Sequence, residues 1–229
     1  MSVIKILTGN IFTSTCQTLV NTVNCVGVMG AGMALECRLR WPRMFERYVQ
    51  LCADGSLQVG RLWLYRGEDR WVLNFPTKQH WRHPSRASYL REGLERFLDT
   101  YEERGIESVA FPLLGAQHGG LDRQHVLDVM TRHLEQCRIP VEIHHYDPKA
   151  PDDLYGRFRQ RLLESDEQGI KDATGLDSRR IGLLRAAVAS PHIHQLNQLA
   201  ATPGIGDKTL ERAFVLARAD TMPVQQGLW

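Results

Sequence analysis

The sequence predicts an α/β fold: a three-layer α/β/α sandwich around a mixed, mostly parallel sheet, followed by a small all-helical domain. Two observations predict it. Strand-like and helix-like runs alternate up to residue 149, which is typical of parallel strands connected by helices. After a composition shift at DPKAP (147–151), every patterned run is helical. We therefore assign residues 1–149 to the sandwich and residues 150–229 to the helical domain.

The first elements follow from local patterns. Residues 3–7 (VIKIL) are rich in residues that favour strands and are followed by a Thr-Gly-Asn turn, which predicts a strand. Residues 19–23 are almost continuously apolar, as expected for a strand that is covered on both faces. Helices are expected at residues 32–40, where Pro42 ends the run, and at residues 44–52.

The remaining elements of the first domain are a hairpin, two helices and two strands. Its predicted strands are residues 62–65, 71–75, 108–113 and 141–145, and its predicted helices are residues 86–104 and 122–136. The hairpin is expected because two β-rich runs flank a turn that contains Gly67. In a parallel sheet, the loops after Val23, Phe75 and Leu113 lie at the carboxyl ends of strands, where such folds bind ligands.

Composition restricts the class of protein. The chain has 229 residues and a net charge of only +2, so any contact with nucleic acid must come from a local patch. Its five cysteines are dispersed without C-x-x-C pairing, which favours reduced thiols in the cytoplasm over a disulfide framework or a zinc site. No signal-peptide pattern and no apolar run of the roughly 20 residues needed to span a membrane is found, so no membrane partner is expected.

Two glycine-rich stretches each connect a predicted strand to a predicted helix. The first is LVNTVNCVGVMGAGMAL (19–35), and the second is PLLGAQHGGLD (112–122). Glycines allow close backbone approach, and a helix N-terminus favours anions, so each stretch suits a phosphate. Two such loops on one sheet edge could hold a diphosphate from both sides. The alternative for either stretch is a tight turn with capping glycines.

A third stretch, NFPTKQHWR (74–82), places Lys78 after a strand end. A lysine in a partly dry cleft has a lowered pKa and can attack a sugar C1 carbon. The alternative is a plain phosphate-binding or surface lysine, with His80 and Trp81 as rim or core residues.

Together, these three stretches resemble the macrodomain family, whose fold binds ADP-ribose. Within that family they resemble the DarG-like branch, which removes ADP-ribose from thymine bases in single-stranded DNA. The resemblance covers residues 2–146 and rests on VNTVNCVGVMGAGMAL (20–35), NFPTKQHWR (74–82) and LLGAQHGGLD (113–122). The first two of these are specific to the branch, since other macrodomain hydrolases carry an NAAN run at the first position.

The resemblance implies the role of individual residues. Lys78 falls on the lysine that this branch and the terminal ADP-ribose glycohydrolase require, Asp122 falls on the latter's catalytic aspartate, and Asn24 would contact the distal ribose. These three are the predicted catalytic residues. The predicted ADP-ribose ligands are Asn10, Ile11, Asn21, Gly27, Val28, Met29, Gly30, Ala31, Gly32, Thr77, Gly115, Ala116, Gln117, His118 and Gly119. No metal and no cofactor is implied, since ADP-ribose itself is ligand and product.

The implied chemistry suits these residue types. Cleavage at ribose C1 builds positive charge on the sugar, which a carboxylate stabilises. An amine can trap the opened sugar as an imine, and water then releases ADP-ribose. Lys78 could act in this way or only position the substrate. For Asp122 the alternative is a helix N-cap.

One departure concerns the adenine end. Most macrodomains place an aspartate after the first strand, where it accepts a hydrogen bond from the adenine amino group. This chain has Gly9-Asn10-Ile11, so Asn10 would accept without charge, and adenine binding would be weaker or less selective.

The tail contains LNQLAATPGIGDKTLERAF (196–214), which resembles a helix-hairpin-helix motif. Such a hairpin presents backbone N–H groups to a DNA phosphate without reading sequence. The predicted DNA contacts are Gly204, Ile205, Gly206 and Lys208. A weaker copy lies 29 positions earlier at residues 174–177, where Asp177 replaces a glycine and would repel phosphate. The alternative is a helical appendage that docks on the main domain or on a partner.

The leading hypothesis is therefore a hydrolase that removes ADP-ribose from modified DNA bases and reverses DNA ADP-ribosylation. DNA would contact the hairpin and the cleft rim, and an ADP-ribosyltransferase toxin is a possible partner. Two alternatives remain: a reader of ADP-ribose or modified DNA without turnover, and a hydrolase of ester-linked ADP-ribose on proteins or of small ADP-ribose metabolites.

Overall fold

A computed structural model describes residues 4–117 and 119–219, and the chain divides into two compact units between Asp147 and Pro148. The first unit contains six strands, β1 (Ile4–Gly9), β2 (Thr18–Val23), β3 (Trp63–Arg66), β4 (Trp71–Pro76), β5 (Val109–Pro112) and β6 (Val141–Tyr146). Its helices are α1 (Gly32–Arg40), α2 (Pro42–Ala53), α3 (Ala87–Thr100) and α4 (Arg123–Leu134), with a short 3-10 helix at Ile11–Thr13.

The six strands form one sheet in the order β1-β6-β5-β2-β4-β3. All neighbouring pairs are parallel except β3 and β4, which form the antiparallel hairpin. The predicted mixed, mostly parallel sheet is confirmed. Since β5, β2 and β4 are direct neighbours, the loops that follow them leave the sheet side by side at one edge.

Side chains on the two faces of the sheet form two apolar clusters. Val20 packs on one face with residues of α3 and α4, such as Leu94 and Met130. Leu19 and Val23 pack on the other face with residues of α1 and α2. Alternate residues of β2 are therefore buried on opposite sides, which explains why apolar residues such as Leu19 and Val20 follow one another in its sequence.

The helices of the first unit differ from the predictions mainly at their ends. Pro42 is the first residue of α2, where its missing N–H costs nothing, and Trp41 alone separates α1 from α2. Helix α3 ends at Thr100, short of the predicted residue 104. It contains Gly93, where a Cβ would lie 2.2 Å from the ring of Phe75, so α3 packs closely on β4 through that glycine.

The second unit contains α5 (Tyr155–Glu164), α6 (Glu167–Thr174), α7 (Ser178–Val188), a 3-10 helix (Leu196–Ala201) and α8 (Asp207–Arg218). Its buried side chains include Phe158, Ile170, Leu184, Leu199 and Phe214. The buried carboxylate of Asp152 accepts hydrogen bonds from the N–H groups of Leu154, Tyr155 and Leu196, which joins the start of α5 to the start of the 3-10 helix. Over residues 4–117 and 119–219, no helix has the length and apolar character needed to cross a membrane.

Candidate functional site

A cavity of about 580 Å³ opens where the loops after β2, β4 and β5 meet. This volume lies in the range of small-molecule sites. Its lining residues are Thr22, Val23, Asn24, Val28, Gly30, Ala31, Met33, Ala34, Thr77, Lys78, Trp81, Pro112, Leu113, Gly115, Gln117 and Gly119. The three stretches selected from the sequence therefore form the walls of one cavity.

The side chain of Asn24 fixes the first glycine-rich loop. Its Oδ1 accepts hydrogen bonds from the N–H of Val26 (3.0 Å) and from the hydroxyl of Tyr48 (3.1 Å), while its Nδ2 donates to the carbonyl oxygen of Val28 (2.6 Å). Tyr48 is fully buried in α2, so this network anchors the loop to the core. Asn24 thus shapes the loop and also lines the cavity.

The loop that carries Lys78 is joined to the first loop along its backbone. The N–H of Thr77 donates to the carbonyl oxygen of Val23 (2.9 Å), and the N–H of Cys25 donates to that of Gln79 (3.2 Å). The thiol of Cys25 also donates to the carbonyl oxygen of Lys78 (3.4 Å). Burial raises the pKa of Cys25 to about 11, which keeps this thiol protonated. These bonds fix the backbone of Lys78 beside Asn24.

Lys78 lies in the wall of this cavity and is partly buried. Burial lowers the pKa of Lys78 below its ordinary value, because desolvation disfavours the ammonium form. A larger fraction of the amine is therefore neutral at a given pH than for an exposed lysine. A neutral amine facing a cavity can act as a nucleophile.

The second glycine-rich loop packs on Ser85. The N–H of Ser85 donates to the carbonyl oxygen of Gly119 (3.0 Å). A Cβ at Gly119 would lie 2.1 Å from the carbonyl oxygen of Gly115 and 2.4 Å from the Oγ of Ser85, while a Cβ at Gly115 would lie 2.9 Å from the Cβ of Ser85. Gly115 also has a positive φ of 68°. Both glycines are required by the close folding of this loop.

Several predicted ligands are not among the residues that line this cavity, and their contact with ADP-ribose stays a prediction. Asn21 is fully buried and donates from Nδ2 to the Oδ1 of Asn74 on β4 (3.0 Å), so it joins two strands. Asn10 is the N-cap of the first 3-10 helix, where its Oδ1 already accepts from the N–H of Phe12 (2.9 Å). The other predicted ligands outside the lining are Ile11, Gly27, Met29, Gly32 and Ala116, and the side chains of Ile11 and Met29 belong to the core. His118 lies outside the described residues.

Asp122 also lies outside the lining. It is exposed and is the N-cap of α4, with its Oδ1 accepting from the N–H of His125 (2.8 Å). Its contacts are those of a helix cap, the alternative considered for this residue, and its catalytic role stays a prediction.

Sequence reasoning did not select Ser85 or the apolar wall formed by Met33 and Ala34. Ser85 precedes α3 with no motif of its own, and its buried Oγ makes no hydrogen bond within the described part of the chain. Its role becomes visible only through its contacts with Gly115 and Gly119, which lie 30 and 34 positions later in the sequence. Trp81, considered as a rim or core residue, is a rim residue with 46% of its surface exposed.

The second unit contains two similar turns. Gly175 (φ 68°) and Gly204 (φ 86°) are each followed by a buried residue, Leu176 or Ile205. The next residue is in each case the N-cap of a helix: Asp177 for α7 and Gly206 for α8.

The two turns differ at the cap. The Oδ1 of Asp177 accepts from the N–H of Arg180 (2.8 Å), and its Oδ2 pairs with the Arg180 guanidinium (2.6 Å). Gly206 has no side chain, and a Cβ there would meet nothing within 4 Å. The N-terminus of α7 therefore already holds a carboxylate, whereas the cap residue of α8 supplies none.

The described residues offer few other candidate sites for a metal ion or a small molecule. Across residues 4–117 and 119–219, no group of three or more His, Cys, Asp or Glu side chains could hold a metal ion. A second cavity of about 380 Å³ lies against α3 and β3, and its charged lining residues are Arg61, Arg96 and Arg104. It contains none of the glycine-rich loops.

Comparison with known proteins identifies relatives of the first unit. The family model for the Macro domain matches residues 20–130. A protein of Thermus aquaticus named DNA ADP-ribosyl glycohydrolase is 41% identical over 149 residues, which cover 63% of this chain and 41% of that protein. The solved macrodomain of Mycobacterium tuberculosis DarG is 36% identical, with a TM-score of 0.61 over 63% of this chain and 98% of that one.

A third relative comes from Thermosipho africanus. It is named a DNA ADP-ribosyl transferase-DNA ADP-ribosyl glycohydrolase fusion protein and is 32% identical over 160 residues, which cover 62% of this chain and 41% of that protein. A structure described as Thermosipho africanus DarTG in complex with ADP-ribose matches with a TM-score of 0.58 and 34% identity, covering 62% of this chain and 42% of that one. This chain thus spans about two fifths of the length of these full-length relatives.

Proposed function

The chain belongs to the macrodomain family, and on that premise we propose that it is a hydrolase that removes ADP-ribose from modified DNA bases. The observation that carries the proposal is the position of Lys78: it lines the same cavity as Asn24 and the two glycine-rich loops, and its backbone is hydrogen-bonded to the first of these loops. The names of the Thermus and Thermosipho relatives support the same activity.

The cavity suggests how ADP-ribose would lie in it. The backbone of Val28, Gly30 and Ala31 on one side, and of Gly115 and Gly119 on the other, would hold the diphosphate. The distal ribose would then lie between Asn24 and Lys78. The catalytic role of Asp122 stays a prediction: one oxygen of its carboxylate caps α4.

Lys78 would carry out the covalent step. Its neutral amine attacks C1 of the distal ribose, the bond from C1 to the base breaks, and the base nitrogen takes up a proton. The resulting amine adduct opens to an imine, and one water molecule then releases free ADP-ribose and restores the lysine. We expect this reaction to need no metal or cofactor, and EDTA should leave the rate unchanged.

The direct test uses a single-stranded oligonucleotide that carries ADP-ribose on one thymine. Wild-type protein is expected to release free ADP-ribose and unmodified DNA with multiple turnovers, as followed by gel shift and mass spectrometry. Binding of the oligonucleotide without release would instead favour a reader. Faster release from ADP-ribosylated protein carboxylates than from DNA would favour the hydrolase of ester-linked ADP-ribose. Either result would reject the proposal.

We further propose that the turn at Gly204–Gly206 binds a DNA phosphate, with Lys208 beside it. This is supported by the difference between the two turns of the second unit. At the first turn, the carboxylate of Asp177 occupies the N–H of Arg180, which an external phosphate would otherwise use. At the second turn, Gly206 leaves room for a phosphate at the N-terminus of α8.

This difference predicts the effect of Gly206→Asp. The new carboxylate should cap α8 as Asp177 caps α7, so the melting temperature should stay equal or rise. It should also repel phosphate and lower the affinity for oligonucleotides by about tenfold at low salt. Fluorescence anisotropy would measure this, with Gly206→Ala as the matched control that adds a Cβ without charge. Equal DNA affinity of both variants and wild type would show that the turn does not bind DNA.

We also propose a cognate ADP-ribosyltransferase as a partner and the cytoplasm as the compartment. The first rests on the Thermosipho relative, whose name joins a transferase to a glycohydrolase in one chain. The second rests on the five cysteines, all of which are free.

A further inference from the structure

A large aromatic side chain, that of Trp81, lies at the mouth of the cavity and is not packed in the core. Trp81 lines the same cavity as Lys78, yet 46% of its surface is exposed. By contrast, Trp41 is 7% exposed and packs in the core. An exposed tryptophan beside a ligand cavity provides apolar ring surface for any part of a ligand that extends out of the cavity.

The neighbours of Trp81 restrain the ring and cover only part of it. It lies in a turn closed by a hydrogen bond from the N–H of His83 to the carbonyl oxygen of His80 (3.0 Å). The ring of His80 stacks on Trp81, with centroids 5.7 Å apart and planes at 24°. The guanidinium carbon of Arg82 lies 4.6 Å from the Trp81 ring centroid. A ring held in this way loses little entropy when a ligand stacks on it.

The segment that contains Trp81 carries positively charged side chains and no negatively charged ones. Residues 78–86 (KQHWRHPSR) contain the cationic side chains of Arg82 and Arg86 in addition to Lys78, and no carboxylate. Such a segment attracts a polyanion. Aromatic rings combined with cationic side chains are the surface that single-stranded nucleic acids bind, because each base can stack while the phosphates stay near positive charge.

We propose that Trp81 is a stacking platform for an unpaired nucleobase of the DNA strand that carries the ADP-ribose. This inference rests on the proposed function, since it places the ribose C1 at Lys78 and the attached strand at the cavity mouth. In a duplex, both faces of a base are covered by its neighbours. Stacking on Trp81 therefore selects a single-stranded segment or a base turned out of the helix, and it does so without reading the base sequence.

The kinetic test compares three full-length proteins: wild type, Trp81→Phe and Trp81→Leu. Leucine keeps an apolar side chain but removes the aromatic face, whereas phenylalanine keeps the face. We expect Trp81→Leu to raise KM for the modified single strand by about tenfold, with a smaller change for Trp81→Phe. The Kd for free ADP-ribose, measured by calorimetry, should stay within about twofold. An equal loss of ADP-ribose affinity would make Trp81 a wall of the ADP-ribose site and overturn the proposal.

A second measurement does not depend on turnover. An unmodified oligonucleotide that contains 5-bromodeoxyuridine is irradiated with each protein, and the crosslinked peptide is identified by mass spectrometry. We expect a crosslink at Trp81 in wild type and its loss in Trp81→Leu. Crosslinks confined to residues 150–219 would overturn the proposal. If the wild-type protein crosslinks at Trp81 but releases no ADP-ribose, the proposed hydrolase function is wrong and the stacking role of Trp81 is retained. If the wild-type protein releases ADP-ribose and Trp81→Leu behaves as wild type, the hydrolase function is retained and the stacking role of Trp81 is wrong.

Discussion

Lys78→Ala is expected to lower kcat for the release of ADP-ribose from modified single-stranded DNA by about a hundredfold to ten-thousandfold. Alanine removes the only group assigned to the attack on ribose C1. Because the glycine-rich loops that would hold the diphosphate remain, the Kd for ADP-ribose should change by only a few fold. Stopped assays of released ADP-ribose and calorimetry would measure the two effects. Lys5→Ala is the matched control, since Lys5 is exposed on the edge strand β1 of the same unit.

The role of the amine determines the pH profile. Burial lowers the pKa of Lys78, so a nucleophilic amine should give a kcat that rises with pH and levels off above that lowered pKa. A lysine needed only as a cation should give the opposite slope. Lys78→Arg distinguishes the two roles independently, because arginine stays charged throughout. Substantial activity of Lys78→Arg, or a kcat that falls as pH rises through this range, would contradict the covalent step.

Gly119→Ala is expected to weaken ADP-ribose binding by about tenfold to a hundredfold, the equivalent of about 1–3 kcal/mol of overpacking. The new Cβ would lie 2.1 Å from the carbonyl oxygen of Gly115, a backbone atom that cannot turn aside. The second loop must therefore shift from its position in the wild-type protein. Calorimetry with ADP-ribose would measure the loss.

The neighbouring glycine supplies the control for this variant. At Gly120, φ is 75° and a Cβ would meet nothing within 4 Å, so Gly120→Ala adds backbone strain without a clash. It should lower the melting temperature slightly and leave the affinity for ADP-ribose close to wild type. If both variants bind ADP-ribose as wild type does, the second loop does not hold the diphosphate.

Much of the first unit was predictable because its signals are local. Apolar runs such as residues 19–23, glycine-rich turns and amphipathic helices are each encoded within a few neighbouring positions. The positions of Asn24, Lys78 and Gly115 around one cavity also followed, since parallel strands bring their carboxyl ends to one edge. The predicted helix ends were less accurate, because a proline such as Pro42 can either follow the end of one helix or begin the next.

The direction and partners of single side chains were decided by tertiary structure. Asn21 and Asn24 are three positions apart in the sequence, but the first is buried against Asn74 and the second lines the cavity. Asp122 has the residue type of a catalytic acid, yet α4 begins after it and takes its carboxylate as a cap.

The sequence by itself determined the fold class, the positions of the two glycine-rich loops and the choice of Lys78 as the candidate nucleophile. Each of these depends on residue type and on spacing along the chain. Tertiary structure alone decided that Ser85 supports the second loop, that Trp81 stands exposed at the mouth, and that Asn10 caps a 3-10 helix. These roles depend on which distant atoms come within contact distance, and no local pattern carries that information.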